Sequence, residues 1–173
     1  AAPLRDYLGE TCTHLVSEGR TFPVDVVYSP PRERHKGQLW DHVGRAMRDH
    51  LKEHGIQGHA LVFMPGRYEI QKTVSALKNA SWASGFEIHE LYGELSPQKQ
   101  DAAVARSDRP KIIVATNVAE TSITIDGVVA VIDSGLARTA SYDSRRAIDT
   151  LTIRKISRAS AQQRAGRAGR TGP

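Results

Sequence analysis

The sequence contains a single cysteine, Cys12, among its 173 residues. One cysteine cannot form an internal disulfide or a cysteine-based zinc site, so we expect a reducing compartment and a cytoplasmic protein. No apolar run approaches the roughly 20 residues that cross a bilayer as a helix, and so no membrane partner is expected. Residues 1–9 also lack the apolar stretch that forms the centre of a signal peptide.

Aromatic residues make up only 6% of the chain, which argues against a platform on which nucleic-acid bases stack. Acidic residues are missing from one long stretch: residues 154–170 carry six basic side chains and no acidic one. The formal net charge of the chain is +5. A modest excess is consistent with a polyanionic partner but does not require one, so the clustering of the basic side chains is more informative than their number.

Two nucleotide-binding motifs are also missing. The sequence has no G-x-x-x-x-G-K-[ST] loop, whose backbone amides cradle a triphosphate, and no Asp-Glu-x-His box to hold Mg²⁺. Any role in NTP hydrolysis therefore needs the rest of the site from outside this sequence.

Short apolar runs alternate with amphipathic stretches, which predicts an α/β fold with a parallel sheet covered by helices on both faces. One helix is predicted over residues 39–54, with an apolar residue every fourth position and Gly55 as its end, and another begins at Ser96 and Pro97. The predicted strands are residues 22–28, 59–64, 86–91, 111–115 and 128–132. Functional loops are expected at the carboxyl ends of such strands.

After Asp133 the pattern changes, and two stretches around residues 143–147 predict an antiparallel β-hairpin that projects from the sheet, at about residues 137–154. A last helix is predicted to begin with Ser160 as its N-cap. We find no internal repeat and no second domain in the sequence, so residues 1–173 are interpreted as a single domain.

The most specific pattern is QQRAGRAGR at residues 162–170. If one helix runs through it, Gln163, Arg167 and Arg170 lie at i, i+4 and i+7 and share a face, where two guanidinium groups and an amide suit phosphate oxygens. Gly166 and Gly169 each cost a helix ~1 kcal/mol relative to alanine, which suggests that another surface approaches closely there. The alternative is a basic helix end that touches nothing.

This run resembles motif VI of superfamily 2 helicases in its DEAH/RHA form. Residues 115–127 (ATNVAETSITIDG) resemble motif V almost letter for letter, residues 61–66 (LVFMPG) resemble motif IV, and residues 91–95 (LYGEL) resemble the accessory motif after it. The order and spacing match over nearly the whole chain. Since no long insert precedes motif V, the sequence is most similar to the bacterial HrpB-type branch.

The resemblance implies the second RecA-like domain of an ATP-dependent RNA helicase, with the first RecA-like, winged-helix and ratchet domains outside this sequence. The implied catalytic residues are Gln163, Arg167 and Arg170. The implied nucleotide-binding residues are Ser122, Thr124 and Asp126. The implied nucleic-acid-binding residues are Gly66, Arg67, Gly93, Thr116, Asn117, Arg145 and Arg146. Arg170 would be the arginine finger, an effect of about 10³–10⁵ in rate where it is known, and Arg167 a second clamp on the γ-phosphate.

The implied cofactors are ATP and Mg²⁺, with Mg²⁺ held mainly by the first RecA-like domain and no metal site in this chain. The implied partners are single-stranded RNA, with DNA left open, the first RecA-like domain of the same parent chain, and a protein activator. The chain alone would be half a site and inactive. Because Ala103 and Val104 stand where the family usually has an aromatic residue that stacks on adenine, we expect weak selectivity for the nucleotide base.

Two other classes of function remain as alternatives. One is a non-catalytic nucleic-acid-binding or protein-binding module that keeps the helicase fold, although such a module has no need of two arginine fingers. The other rests on HLKEH at residues 50–54, which matches the H-x-x-E-H pattern of inverted zinc proteases. Short motifs often occur by chance, and a solvated helix face is the better interpretation of this one.

Overall fold

The computed structural model describes residues 6–9, 13, 22–30, 37–143 and 145–170. The main elements in chain order are α1 (Leu39–His54), β1 (His59–Phe63), α2 (Arg67–Lys78), a short 3-10 helix (Ser81–Ala83), β2 (Glu87–Leu91), α3 (Pro97–Val104), β3 (Lys111–Ala115), α4 (Val118–Thr121), β4 (Val128–Asp133), β5 (Leu136–Asp143), β6 (Ile148–Lys155) and α5 (Arg158–Ala165). No helix among these residues has the length and apolar character needed to cross a membrane.

Four strands form a parallel sheet in the order β2-β3-β1-β4. Side chains of the central strands β1 and β3 alternate between two buried clusters. The cluster on one face includes Ala60, Val62, Ile112 and Val114, packed against residues of α1 and α2. The cluster on the other face includes Leu61, Phe63, Ile113 and Ala115, with residues of α3 and α4. The predicted parallel sheet with helices on both faces is therefore confirmed.

Helix α1 has the bounds predicted from its apolar periodicity. Val43 and Met47 are buried under it, and the backbone N–H of Gln38 donates to the Asp41 carboxylate at 3.0 Å, as part of a capping box. The helix ends at Gly55, whose φ of 68° lies in the left-handed region that glycine adopts without strain.

Strands β5 and β6 form the predicted antiparallel hairpin, paired from Leu136 opposite Lys155 to Asp143 opposite Ile148. They form a separate two-stranded sheet. One face of this hairpin carries Tyr142, Leu151 and Ile153, all of which are exposed. The hairpin is therefore held by its backbone ladder and its base, not by a buried core of its own.

One predicted strand is wrong. Residues 22–30 lie outside any strand, and Val27 and Tyr28 are 85% and 88% exposed. The apolar alternation of residues 22–28 suits a strand, but a strand also needs an edge to pair with. Here the backbone N–H of Phe22 donates instead to the carbonyl oxygen of Gly169, at 2.9 Å, beyond the end of α5.

Candidate functional site

Helix α5 begins and ends earlier than its sequence predicts. Its N-cap is Ser157, not Ser160, and the Ser157 hydroxyl accepts a hydrogen bond from the Ser160 backbone N–H at 3.1 Å. The helix ends with Gly166 as its C-cap, and the residues that follow form turns. The predicted common helical face of Gln163, Arg167 and Arg170 is therefore wrong: only Gln163, which is exposed, lies in the helix. The helix ends at Gly166 because glycine has a low helix propensity.

The side chain of Arg167 is buried against the segment after β3. Its guanidinium donates to the carbonyl oxygen of Ile123 at 2.7 Å and, through two nitrogens, to the carbonyl oxygen of Glu120. Burial lowers the pKa of Arg167, and the nearby Arg170 lowers it further, while Glu120 opposes the shift. Arginine stays charged well above neutral pH. Arg167 therefore ties the residues after α5 to the end of α4.

Arg170, in contrast to Arg167, is exposed. Its guanidinium donates to the hydroxyl of Thr124 at 3.3 Å, and Thr124 is also exposed. Ser122, the exposed C-cap of α4, lies two residues before Thr124. The structure thus brings together one predicted catalytic arginine and one predicted nucleotide-facing hydroxyl, with a second exposed hydroxyl residue close by in the chain.

Asp126 does not join Arg170. Its carboxylate lies 3.7 Å from the guanidinium of Arg106, and the two side chains are 58% and 93% exposed. An ion pair this exposed contributes little to stability, so Asp126 remains available to other partners.

Sequence reasoning missed Arg164, which is 1% exposed. Its guanidinium donates to the carboxylates of Glu120 and Asp133, at 2.9 Å each, and to the carbonyl oxygen of Leu136 at 3.3 Å. It also lies 4.7 Å from the centre of the Phe63 ring, a cation–π distance. Both carboxylates are more than 30 residues away in sequence. No local sequence pattern marks this contact.

The two glycines of the motif have different surroundings. A Cβ atom on Gly169 would lie 2.4 Å from the carbonyl oxygen of Phe22 and 2.8 Å from a methyl group of Val24. The expectation that a glycine admits another surface is therefore confirmed at Gly169. A Cβ on Gly166 would meet only carbonyl oxygens of α5 itself, the nearer being that of Gln162 at 3.3 Å.

Five residues predicted to bind nucleic acid lie at the carboxyl ends of three neighbouring strands. They are Gly66 and Arg67 after β1, Gly93 after β2, and Thr116 and Asn117 after β3. Arg67, Gly93 and Asn117 are exposed, Thr116 is partly buried and Gly66 is buried. The Arg67 guanidinium lies 5.8 Å from the centre of the Tyr92 ring. The topology thus places all five along one edge of the sheet.

Arg145 and Arg146 lie in the turn of the hairpin, and both are exposed. Each hairpin strand has eight residues, which corresponds to a length of about 26 Å. These arginines therefore belong to a separate surface, distant from the base of the hairpin and from the strand ends.

The histidine pattern on α1 has a simple structural explanation. The rings of His50 and His54 lie with their centres 4.9 Å apart on the helix surface. Within the described residues, no group of three His, Cys, Asp or Glu side chains is placed to hold a metal ion. The zinc protease interpretation gains no support.

Comparison with known proteins identifies the family. Residues 45–172 match the family described as "Helicase conserved C-terminal domain". The chain belongs to this family. It is 39% identical over 180 residues to a human protein named "Probable ATP-dependent RNA helicase DHX35". The alignment covers 98% of this chain and 24% of the relative.

Two crystal structures also match, one described as the E. coli DExH-box NTPase HrpB and one as the Escherichia coli DEAH/RHA helicase HrpB. Each is 38% identical, with TM-scores of 0.79 and 0.78, over 91% and 90% of this chain and 19% and 20% of theirs. The helicase C-terminal domain described here is thus the second RecA-like domain of the DEAH/RHA type, and it spans about a quarter or less of these relatives. Because the human and bacterial identities are almost equal, the HrpB-type branch stays a prediction.

Proposed function

We propose that this helicase C-terminal domain supplies an arginine finger and half of a single-stranded RNA track to an ATP-dependent helicase motor. The observation that supports this best is the contrast between two arginines of motif VI. Arg167 is buried and anchored on carbonyl oxygens, whereas Arg170 is exposed and held by one hydrogen bond to Thr124. The backbone next to Arg170 is thus anchored through Arg167, while the guanidinium of Arg170 is available to a ligand.

The chemistry of the exposed groups fits a nucleoside triphosphate. The Arg170 guanidinium suits phosphate oxygens, the hydroxyls of Ser122 and Thr124 suit a γ-phosphate or its attacking water, and the Asp126 carboxylate suits a ribose hydroxyl. When bound, ATP would supply the γ-phosphoryl group that hydrolysis transfers to water, with Mg²⁺ offsetting the charge of the phosphates. We infer that Mg²⁺ is held mainly by the first RecA-like domain of the parent chain.

The strand ends would form the RNA half of the proposed site. Backbone amides after Gly66 and Gly93, together with Thr116 and Asn117, offer donors to phosphates along one edge of the sheet. Contacts of this kind position a strand without reading its sequence, so DNA remains a second candidate substrate. The parent protein is proposed to be cytoplasmic and to work with a protein activator.

In the proposed mechanism, the first RecA-like domain closes on this one around the nucleotide. The guanidinium of Arg170 then exchanges the Thr124 hydroxyl for a phosphate oxygen, while Arg167 keeps the segment in place. After hydrolysis Arg170 is released and the domains separate, so that this half steps along the RNA backbone. The arginine stabilises charge that develops on the phosphoryl group, and domain closure gates the reaction.

The test is steady-state ATP hydrolysis by the full-length parent, with and without single-stranded RNA. We expect Arg170→Ala to lower RNA-stimulated turnover by about 10³-fold or more while ATP still binds, since an arginine finger acts on the transition state. Arg158→Ala is the matched control, because Arg158 is an exposed arginine in α5, the helix that precedes the segment carrying Arg170. If Arg170→Ala turns over ATP as fast as Arg158→Ala, the non-catalytic binding module becomes the better explanation.

A further inference from the structure

Arg164 is the most buried charged side chain near the proposed site, and the proposed function does not use it. It is 1% exposed, and the side chains of Glu120 and Asp133 that accept its hydrogen bonds are 14% and 22% exposed. A buried ion pair of this kind is weak evidence for stability, because the cost of removing charges from water offsets much of their attraction. Stability alone therefore does not explain why Arg164 is buried between Glu120 and Asp133.

The partners of Arg164 come from three separate segments. Glu120 lies near the end of α4, Asp133 is the last residue of β4, and Leu136 is the first residue of the hairpin. Arg164 itself lies three residues before Arg167. One guanidinium thus joins the end of α5, directly before the arginine-bearing segment of residues 166–170, to α4 and to the base of the hairpin.

Glu120 has a double role in this arrangement. Its carboxylate accepts a hydrogen bond from Arg164 at 2.9 Å, and its carbonyl oxygen accepts hydrogen bonds from Arg167. Helix α4 begins directly after its N-cap, Asn117, which is one of the residues proposed to bind RNA at the carboxyl ends of the strands. A small displacement of α4 would therefore move Arg164 and Arg167 together.

We propose that Arg164 is a positioning residue, whose bonds to Glu120 and Asp133 make residues 166–170, α4 and the hairpin base move as one unit. The proposal rests on the proposed function above. Arg164 would not touch ATP or RNA, and it would act by setting the position of Arg170. The two carboxylates are then the connections through which RNA binding changes the rate of hydrolysis.

The first test compares Arg164→Lys with Arg164→Gln in the full-length parent. Lysine keeps a positive charge between the carboxylates but lacks the planar fork that reaches three acceptors. We expect Arg164→Lys to unfold close to the wild-type temperature, with kcat lowered about 10-fold to 100-fold and KM for ATP within about twofold, because a misplaced group costs rate more than binding. Arg164→Gln leaves two carboxylates unpaired and should unfold at a lower temperature.

If the role of Arg164 is purely structural, Arg164→Lys should keep both the folding and the turnover of the wild type. A folded Arg164→Lys protein with wild-type kcat therefore overturns the proposal. If Arg164→Lys does not fold, Glu120→Gln and Asp133→Asn replace it, each removing one charge at nearly constant size.

The readout for these two variants is the ratio of ATP hydrolysis with saturating single-stranded RNA to hydrolysis without it. A smaller folded fraction lowers both rates equally and leaves the ratio unchanged, whereas loss of the connection should lower the ratio about fivefold. An unchanged ratio in both variants overturns the proposal.

Arg170→Ala, measured in the same assays, separates this proposal from the one on which it rests. If Arg170→Ala keeps full turnover, the proposed function itself fails. If Arg170→Ala loses turnover while folded Arg164→Lys keeps it, only the positioning role of Arg164 fails.

Discussion

The two ends of the parallel sheet both contain buried cations, but they use them differently. At the amino end, Lys111 is 1% exposed and its ammonium donates to the carbonyl oxygens of Ala102 and Ala105, at 3.0 and 2.6 Å. These carbonyls belong to the last turn of α3 and to its C-cap residue, Ala105, where a positive charge interacts favourably with the helix dipole. At the carboxyl end, Arg164 and Arg167 connect segments that are far apart in sequence.

The difference indicates a division of roles. The bonds of Lys111 are local and provide donors for the carbonyl oxygens at the end of one helix. They lie at the amino ends of the strands, whereas the residues proposed to bind RNA lie at the carboxyl ends. The bonds of Arg164 and Arg167 hold a surface on which Arg170 remains exposed. We therefore expect substitutions at the amino end to change stability without changing the rate of the folded protein, and substitutions at the carboxyl end to change the rate.

Replacing Lys111 with methionine is the strongest test of the amino end. Methionine fills a similar volume but leaves two carbonyl oxygens without this donor, so we expect a loss of about 2–3 kcal/mol in the free energy of unfolding. The measurement is urea denaturation of this chain, followed by circular dichroism. The control is Lys99→Met, at an exposed lysine of α3, which should stay within about 0.5 kcal/mol of the wild type.

The comparison would break if Lys111→Met lowered RNA-stimulated ATP hydrolysis by the folded parent protein. That outcome would show that the amino end also takes part in the motor cycle. Stability equal to that of Lys99→Met would show instead that the two hydrogen bonds contribute nothing net.

Replacing Gly169 with alanine is expected to have a somewhat smaller effect on stability, at the carboxyl end. The new methyl group would lie 2.4 Å from the Phe22 carbonyl oxygen, a backbone atom that cannot rotate away, so we expect a loss of about 1–3 kcal/mol. Because Gly169 precedes Arg170 directly, turnover of the parent should fall as well. Denaturation of the chain and ATP hydrolysis by the parent measure the two effects.

The control is Gly44→Ala in α1, where a Cβ atom would have nothing within 4 Å. There alanine should stabilise the protein by about 0.5–1 kcal/mol, because glycine is the poorer helix former. If both substitutions stabilise the chain, the close approach of residues 22–24 to Gly169 is not maintained in solution.

The sequence predicted most of the sheet, because buried parallel strands are continuous apolar runs with clear ends. Strand β3 has its predicted bounds, residues 111–115, and the other three strands of the sheet differ by one residue at one end. The hairpin strands are each one residue longer than predicted at one or both ends. Strand order was not predicted, since it depends on packing between distant segments and not on local periodicity.

The candidate site was predicted in part. Resemblance indicated Arg167 and Arg170, but their partners could not be read from spacing, because the helix ends at Gly166 and the following turns redirect both side chains. Ser157 and Ser160 are the same residue type and equally good N-caps in sequence, so residue type alone does not decide between them. Arg164 was missed because both of its carboxylate partners lie far away in the chain.

The smallest predicted effect is the pH dependence of the amino end. The ring nitrogen Nδ1 of His59 accepts a hydrogen bond from the Lys111 backbone N–H at 3.1 Å, which requires that nitrogen to be unprotonated. Burial lowers the pKa of His59, the charge of Lys111 lowers it further, and Glu87 opposes the shift. Burial and the neighbouring His54 likewise lower the pKa of His50.

These shifts fix the sign of the effect. As pH falls through the ordinary histidine value of 6.5, the unfolded chain takes up protons that the folded chain resists, so stability falls. The loss should stop once pH is below the lowered pKa of the folded state. Urea denaturation at about pH 7.5 and pH 5.5 measures the drop.

His59→Gln should show a smaller drop than the wild type, because glutamine stays neutral at both pH values, and His50→Gln measures the remaining histidine contribution. An equal drop in wild type and His59→Gln would mean that His59 titrates alike in the folded and unfolded states. The arginines of the carboxyl end keep their charge throughout this range. Acid should therefore weaken the amino end first, and stability should fall before the intrinsic turnover of the folded parent protein does.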